Sequence, residues 1–171
     1  MKLNLSYKEL KVPYTTYREP YAAVSILIYK EKEILFIKRS NDMPTHKGHI
    51  AFPGGKKEKE DLNIVDTAIR EATEELLIDE NDVEPLGILK PVDTIEFKYH
   101  VFPVVCSLKQ KPDSFNEAEV QDLYFVSIDE LSNQHNWRFR GIYPNDWIFK
   151  IRNETLWGAT AKMTRELLSL S

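Results

Sequence analysis

Residues 63–77 constrain this chain more than any other stretch. Ile64, Ala68, Ala72 and Leu76 recur every four residues, and Val65 and Ile69 widen the stripe, so the segment predicts an amphipathic helix with one buried face. Asn63 stands where an N-cap is needed, and Asp66 three residues on makes a weak capping box. The same helix carries Arg70-Glu71-Ala72-Thr73-Glu74-Glu75. Spacings of three and four put Glu71, Glu74 and Glu75 on one side, with Arg70 one turn before Glu74 to orient it. Like charges so placed repel, by about 0.2–0.5 kcal/mol per pair on an open helix. In a partly buried cleft the repulsion reaches about 4 kcal/mol at a separation of about 4 Å. A divalent cation bound among them turns that liability into a site, and ligands that are all oxygen suit Mg²⁺ or Mn²⁺ rather than zinc.

Taken alone, such a stretch is more often a solvated helix face. The upstream Phe52-Pro53-Gly54-Gly55 reverses the balance: it predicts a sharp turn whose glycine backbone approaches a ligand closely, with a carbonyl of Gly54 or Gly55 available to complete a metal shell. Before it lies a long loop, residues 40–48, bordered by Lys38, Arg39, His46 and Lys47, a group suited to phosphate. His46 and His49 have no cysteine or third histidine near them in sequence, which argues against zinc.

The remaining elements alternate irregularly. Residues 22–30 and 34–39 read as hairpin strands around a turn at 31–33, and 49–52 as a short strand stopped by the Pro-Gly-Gly turn. Strands are expected at 86–92, 96–108, 120–126 and 147–151, a short helix at 129–132, and a closing amphipathic helix at 156–168. Trp157, Ala161, Thr164 and Leu168 form its apolar stripe, so Trp157 is expected to pack in the core, as is Cys106 in its apolar strand. With no regular strand–helix alternation, the class is α+β with a mixed sheet, in a single domain spanning 1–171 with an irregular N-terminal extension at 1–20.

The chain has 171 residues, 42% hydrophobic and 29% charged, enough for one domain with a sizeable core. A formal net charge of −4 argues against sequence-independent binding to nucleic acid. One cysteine, no signal segment near Met1 and no apolar run long enough to span a bilayer lead to the expectation of a cytoplasmic protein without a membrane partner.

The Gly-Gly turn, the loop after it and the Arg-Glu-x-x-x-Glu-Glu helix with Ala72 at its small position resemble a Nudix box, here residues 54–78. More narrowly, three stretches resemble the coenzyme A pyrophosphatase branch of that superfamily. The first is residues 35–40 followed by His46-Lys47-Gly48 and Phe52-Pro53-Gly54-Gly55. The second is the box itself, with Asp61 where many relatives have glutamate, then Thr67-Ala68-Ile69-Arg70-Glu71-Ala72. The third, Leu156-Trp157-Gly158-Ala159-Thr160-Ala161, is similar to the Trp-Gly-x-Thr-Ala that opens the branch's last helix. Three positions depart. Leu77 replaces the box glycine, so the helix either runs on toward Asn81 or ends in strain. Pro44 stands where the branch usually has arginine, which removes a phosphate or adenine contact. Phe36-Ile37 replaces the usual Leu-Thr.

The resemblance implies a Nudix-type α/β/α sandwich and metal-dependent hydrolysis of the diphosphate linkage in a small nucleotide substrate. In that branch the substrate is coenzyme A or a derivative, giving 3′,5′-ADP and 4′-phosphopantetheine. The alternatives are ADP-ribose, NADH or a dinucleoside polyphosphate, and, in another class, a non-catalytic nucleotide-binding module. Carried over by position, Glu71, Glu74 and Glu75 hold Mg²⁺ or Mn²⁺ together with Gly54 or Gly55, and Arg70 orients a carboxylate. The base is Glu71 or an acid before the strand at 120–126, with Glu119 preferred over Glu117. Lys38, Arg39, His46, Lys47 and Lys56 contact phosphate, and a homodimer is left open.

Overall fold

Nine residues rich in Ala, Ile and Tyr form β1 (Tyr21–Tyr29), which is buried on both faces at residues 26–28, as a strand in the middle of a covered sheet must be. The computed structural model of the chain describes residues 21–44, 46–93 and 100–170. After β1 come β2 (Glu33–Arg39), β3 (Ile50–Ala51), β4 (Gly54–Lys56), the helix α1 (Ile64–Leu76), β5 (Val83–Ile88), β6 (Val92–Asp93) and β7 (His100–Leu108). Then follow β8 (Val120–Ser127), α2 (Ile128–Ser132), β9 (Trp137–Phe139), β10 (Trp147–Ile151), β11 (Glu154–Leu156) and α3 (Gly158–Leu167).

The main sheet runs β3-β2-β1-β7-β5, with β4 beside β1, β6 beside β7 and β8 beside β2. β1 and β7 pair in parallel along their whole length, and the other pairs are antiparallel, so the sheet is mixed. A second, antiparallel sheet has the order β11-β10-β9.

Two apolar clusters sit on the two faces of the main sheet. One joins Leu27, Leu35 and Ile37 to Ile64, Ala68, Ala72 and Leu76 of α1. The other joins Ile26, Ile34 and Phe36 to Phe149, Leu156, Ala161, Met163 and Leu167 from the second sheet and α3. Alternate residues of β2 thus face opposite layers, which is the α/β/α sandwich. Each fully buried aliphatic side chain contributes about 1.5–3 kcal/mol. Ser25, fully buried in β1, donates its hydroxyl to the Ala68 carbonyl at 2.8 Å, fastening α1 to the sheet.

Several boundaries differ from the sequence expectation for identifiable reasons. Gly54-Gly55 belongs to a strand rather than a free turn: β4 pairs Val24↔Gly54 and Ala23↔Gly55. A Cβ at Gly54 would collide with the Ala23 carbonyl and the Val24 side chain, so the absence of side chains permits the pairing. β5 begins at Val83 rather than residue 86, because Pro85 lies at an irregularity of an edge strand, where proline is tolerated. The strand expected at 96–108 is described from His100 onward; residues 94–99, like the extension at 1–20, lie outside the described residues. The short strands β9 and β11 were not anticipated. Cys106 is fully buried in β7, and burial pushes its thiol up to about 12, as fits a packing residue.

α1 starts as expected: Asn63 Oδ1 accepts from the Asp66 N–H at 2.8 Å, and Asp66 reaches back to the Leu62 N–H. It stops at Leu76, with Leu77 in the left-handed region at φ 51° and ψ 45°. Of the two outcomes open to the missing glycine, the chain adopts the strained one. Leu77 is largely exposed, so its replacement loses no packing. Leu77→Gly should therefore stabilise the fold by about 0.5–1 kcal/mol, net of the entropy glycine adds to the unfolded chain. Thermal unfolding should show a rise of about 1–4 °C; an unchanged or lower midpoint contradicts this.

Candidate active site

Arg70 organises the acidic face of α1. Its Nε and Nη2 fork onto Asp61 at 2.9 and 3.0 Å, Nη2 also donates to the Lys56 carbonyl at 3.0 Å, and Nη1 reaches Glu71 at 3.0 Å and Glu74 at 3.2 Å. Asp61 is buried and further accepts from Thr67 Oγ1 at 2.8 Å and the Glu58 N–H at 2.9 Å. Burial pushes the Asp61 carboxyl up, but these hydrogen bonds and the guanidinium outweigh it and hold the group below its ordinary range. Sequence had marked Asp61 only as part of the box match; its role as the anchor of Arg70 depends on a loop folding back over nine residues.

The three box glutamates differ in exposure. Glu74 is half exposed, Glu71 mostly buried, and Glu75 only 2% exposed. Burial raises Glu71 above the usual carboxylate range, with Arg70 opposing and the charges of Glu74 and Glu119 reinforcing the shift. Glu75 is pushed up to about 9, by burial first and then by the charges of Glu71 and Glu119, against the opposing pull of Arg39 and the Gly54 N–H.

Glu119 arrives from a distant loop. The Asn116 N–H bonds the Glu75 carbonyl at 2.8 Å, the Glu119 and Val120 N–H groups bond the Asn116 carbonyl, and the Ser40 N–H bonds the Glu119 carbonyl at 2.9 Å. This lacing brings the Glu119 carboxylate to Glu71 and Glu75, while Glu117 stays exposed.

As they stand, no three such side chains among the described residues are drawn in closely enough to hold an ion, since Arg70 engages Glu71 and Glu74. The donor set nevertheless suits a hard divalent cation. Glu75 Oε2 and Glu119 Oε2 are buried without a hydrogen-bond partner, an expense that a cation offsets. Gly55 gives Glu71 its space, because a Cβ there would collide with the Glu71 carboxylate. Gly54, expected to offer a carbonyl, donates its N–H to Glu75.

The cationic residues expected to meet phosphate do not form one group. Arg39 lies near enough to Glu75 to act on its charge. Lys38, the residue before Arg39 on β2, points to the other layer and pairs with Glu154 of β11 at 2.5 Å, apart from Arg39. Lys47 and Lys56 are exposed. The His46 ring lies 5.5 Å from that of His49, which in turn meets Trp157 edge-on at 5.3 Å. Trp157 is half-buried and belongs to neither apolar cluster, contrary to the expectation that it packs in the core.

The family model described as NUDIX domain matches residues 19–146, most of the chain and the whole acidic cluster with Arg39, Asp61 and Arg70. The chain belongs to the NUDIX family. It is similar to a curated protein of Pectobacterium atrosepticum described as an uncharacterized Nudix hydrolase, NudL, at 31% identity over 161 residues, covering 88% of this chain and 81% of that one. Among solved structures it resembles a C. elegans Ap4A hydrolase complex, with a TM-score of 0.52 at 21% identity over 66% of this chain and 82% of the other. It also resembles a MutT protein of Methanosarcina mazei Go1, with a TM-score of 0.53 at 22% identity over 68% and 83%. These two likenesses show the Nudix fold. The chain is thus a Nudix hydrolase, and the family match spans α1 and its acids. Among the described residues, no helix is long and apolar enough to cross a membrane.

Proposed function

We propose that this Nudix hydrolase uses Mg²⁺ or Mn²⁺ to split the diphosphate linkage of coenzyme A or its derivatives, releasing 3′,5′-ADP and 4′-phosphopantetheine. The observation that carries the reading is the convergence of Glu71, Glu75 and Glu119, with two buried carboxylate oxygens left without a partner. The coenzyme A assignment is supported by the resemblance of the loop before the Gly-Gly turn and of the Trp157-Gly158 segment to that branch. Pro44 supports a second reading, in which the same chemistry acts on ADP-ribose, NADH or a dinucleoside polyphosphate. A cytoplasmic location goes with either.

Glu71, Glu74 and Glu75 would hold the metal. When bound, a divalent ion offsets the charge of the diphosphate and lowers the pKa of the attacking water. Arg70, fixed by Asp61, orients Glu71 and Glu74, and the Gly54 N–H orients Glu75. Glu119 takes the proton from the water as its oxygen bonds to phosphorus and the bridging P–O bond breaks, leaving two phosphate groups. Arg39 meets the charge of the diphosphate from the end of β2.

The test is a panel of coenzyme A, ADP-ribose, NADH and a dinucleoside polyphosphate with Mg²⁺, Mn²⁺ or chelator, with products identified by mass spectrometry. Coenzyme A should yield 3′,5′-ADP, chelation should stop the reaction, and added metal should restore it. Equal or faster turnover of ADP-ribose removes coenzyme A from the lead. Metal-supported release of no product from any member sinks the hydrolytic reading.

A further inference from the structure

The C-terminal end of β2 divides the ground beside the acidic cluster. On its β8 side, Arg39 pairs with Val120 and the Ser40 N–H bonds the Glu119 carbonyl. An open cleft of about 430 Å³ lies there, lined by Ser40, Asn41, Asp42, Phe115, Glu117 and Gln121 among others. Among the described residues that line it, the charged ones are the acids Asp42 and Glu117. On the β3 side, the Arg39 N–H bonds the His49 carbonyl at 2.9 Å, and His49 leads to Trp157.

That second side is a prepared wall of rings and cations. Asp146, fully buried, receives Arg140 through Nε at 2.9 Å and Nη2 at 3.1 Å and also accepts from the Ile142 N–H at 3.0 Å. So fixed, the Arg140 guanidinium stands 5.6 Å from the centre of the Trp157 ring and 6.0 Å from that of Tyr143. The Tyr143 hydroxyl accepts from the Gly158 N–H at 3.1 Å, tying the loop to the start of α3, and Lys162 lies 5.5 Å from the Tyr143 ring. Trp157 therefore has its orientation set by neighbours on two sides yet remains partly exposed, outside both cores. One buried carboxylate thus ties the loop at 140–146 and holds its guanidinium beside a half-exposed indole.

We propose that Trp157, with Arg140 and His49 around it, is the stacking subsite for the nucleobase end of the substrate, and that the group beyond the other phosphate lies toward the acid-lined cleft. This rests on the diphosphate-hydrolase reading and gives that site a direction. An indole with few rotatable bonds, already oriented, binds a flat base at little entropic cost. The neighbouring cations favour the phosphate-bearing nucleoside, and Asp42 and Glu117 turn it away from the opposite side. Asp146 is a positioning residue that acts through Arg140.

The test compares AMP with ribose 5-phosphate, which differ by the base, in calorimetric titrations of the full chain and of Trp157→Phe and Trp157→Leu. Neither probe contains a diphosphate, so binding is read apart from turnover. The wild-type chain should prefer AMP. Trp157→Leu should lose tenfold or more of its AMP affinity with ribose 5-phosphate unchanged, and Trp157→Phe should keep most of the preference. Equal binding of the two probes by the wild type, an AMP affinity untouched in Trp157→Leu, or a parallel loss for both probes in both variants each overturns the subsite. A chain that prefers AMP through Trp157 but hydrolyses no diphosphate keeps the subsite and sinks the enzymatic reading. A chain that hydrolyses the panel and ignores the Trp157 changes does the reverse.

Discussion

Glu75→Gln should lower metal-supported turnover by more than about 100-fold and, without metal, give a protein more stable than the parent at alkaline pH. Both effects come from the burial of Glu75, which has one carboxylate oxygen without a partner and a pKa of about 9. Because the folded value lies above the unfolded one of 4.5, the stabilisation due to the bound proton is complete below pH 4.5 and is lost as pH rises through about 9. The metal-free parent should thus weaken across that window. Glutamine, which carries no charge to bury, should flatten the profile and raise the melting temperature at pH 8 to 9. Mg²⁺ should stabilise the parent most at high pH and the variant little. Turnover within tenfold of the parent, or the same pH slope in both proteins, removes Glu75 from the site.

Asp61→Ala is the second large effect. Removing one partner of a buried ion pair costs about 3–5 kcal/mol. Arg70 is one-fifth exposed and retains Glu71, Glu74 and the Lys56 carbonyl, so about 2–3 kcal/mol is expected here. That lowers the melting temperature by about 5–10 °C. Asp61 is held below its unfolded value of 3.8, so its contribution is present above that pH and lost as pH falls through the folded value. Differential melting of the parent and Asp61→Asn should therefore narrow under acid. Turnover should fall about 10–100-fold, since Arg70 no longer holds Glu71 and Glu74 in place. An active Asp61→Ala enzyme melting with the parent contradicts the assigned anchor.

The helix, its cap and its three glutamates were legible because every relation among them is local: spacings of one, three and four along a single element. Glu119 could be singled out only through the family resemblance, as an acid directly before a strand, and the lacing through Asn116 that brings it to Glu75 has no signal in the sequence. Lys38 and Arg39 are adjacent in sequence and alike in charge, and only the placement of β2 between two covered faces reveals that they serve different layers. β4 was hidden by its own glycines, which signal a turn unless the neighbouring strand is known. The wall around Trp157 was missed for a related reason. Its periodicity matched that of a core residue, and the loop carrying Arg140, Tyr143 and Asp146 has no periodic pattern to read.

The parallel pairing of β1 with β7 also dictates when the centre of the main sheet can close. Tyr21 waits for His100 and Tyr29 for Leu108, so a ribosome adding about 5–20 residues per second leaves the first hairpin without its central neighbour for roughly 4–16 s. Over that interval Ile26, Leu27 and Ile28 have one open edge, and α1 has an incomplete floor to settle on. Closure of the sheet's centre is consequently set by a pairing between distant parts of the chain, and contacts of that kind are slow to form.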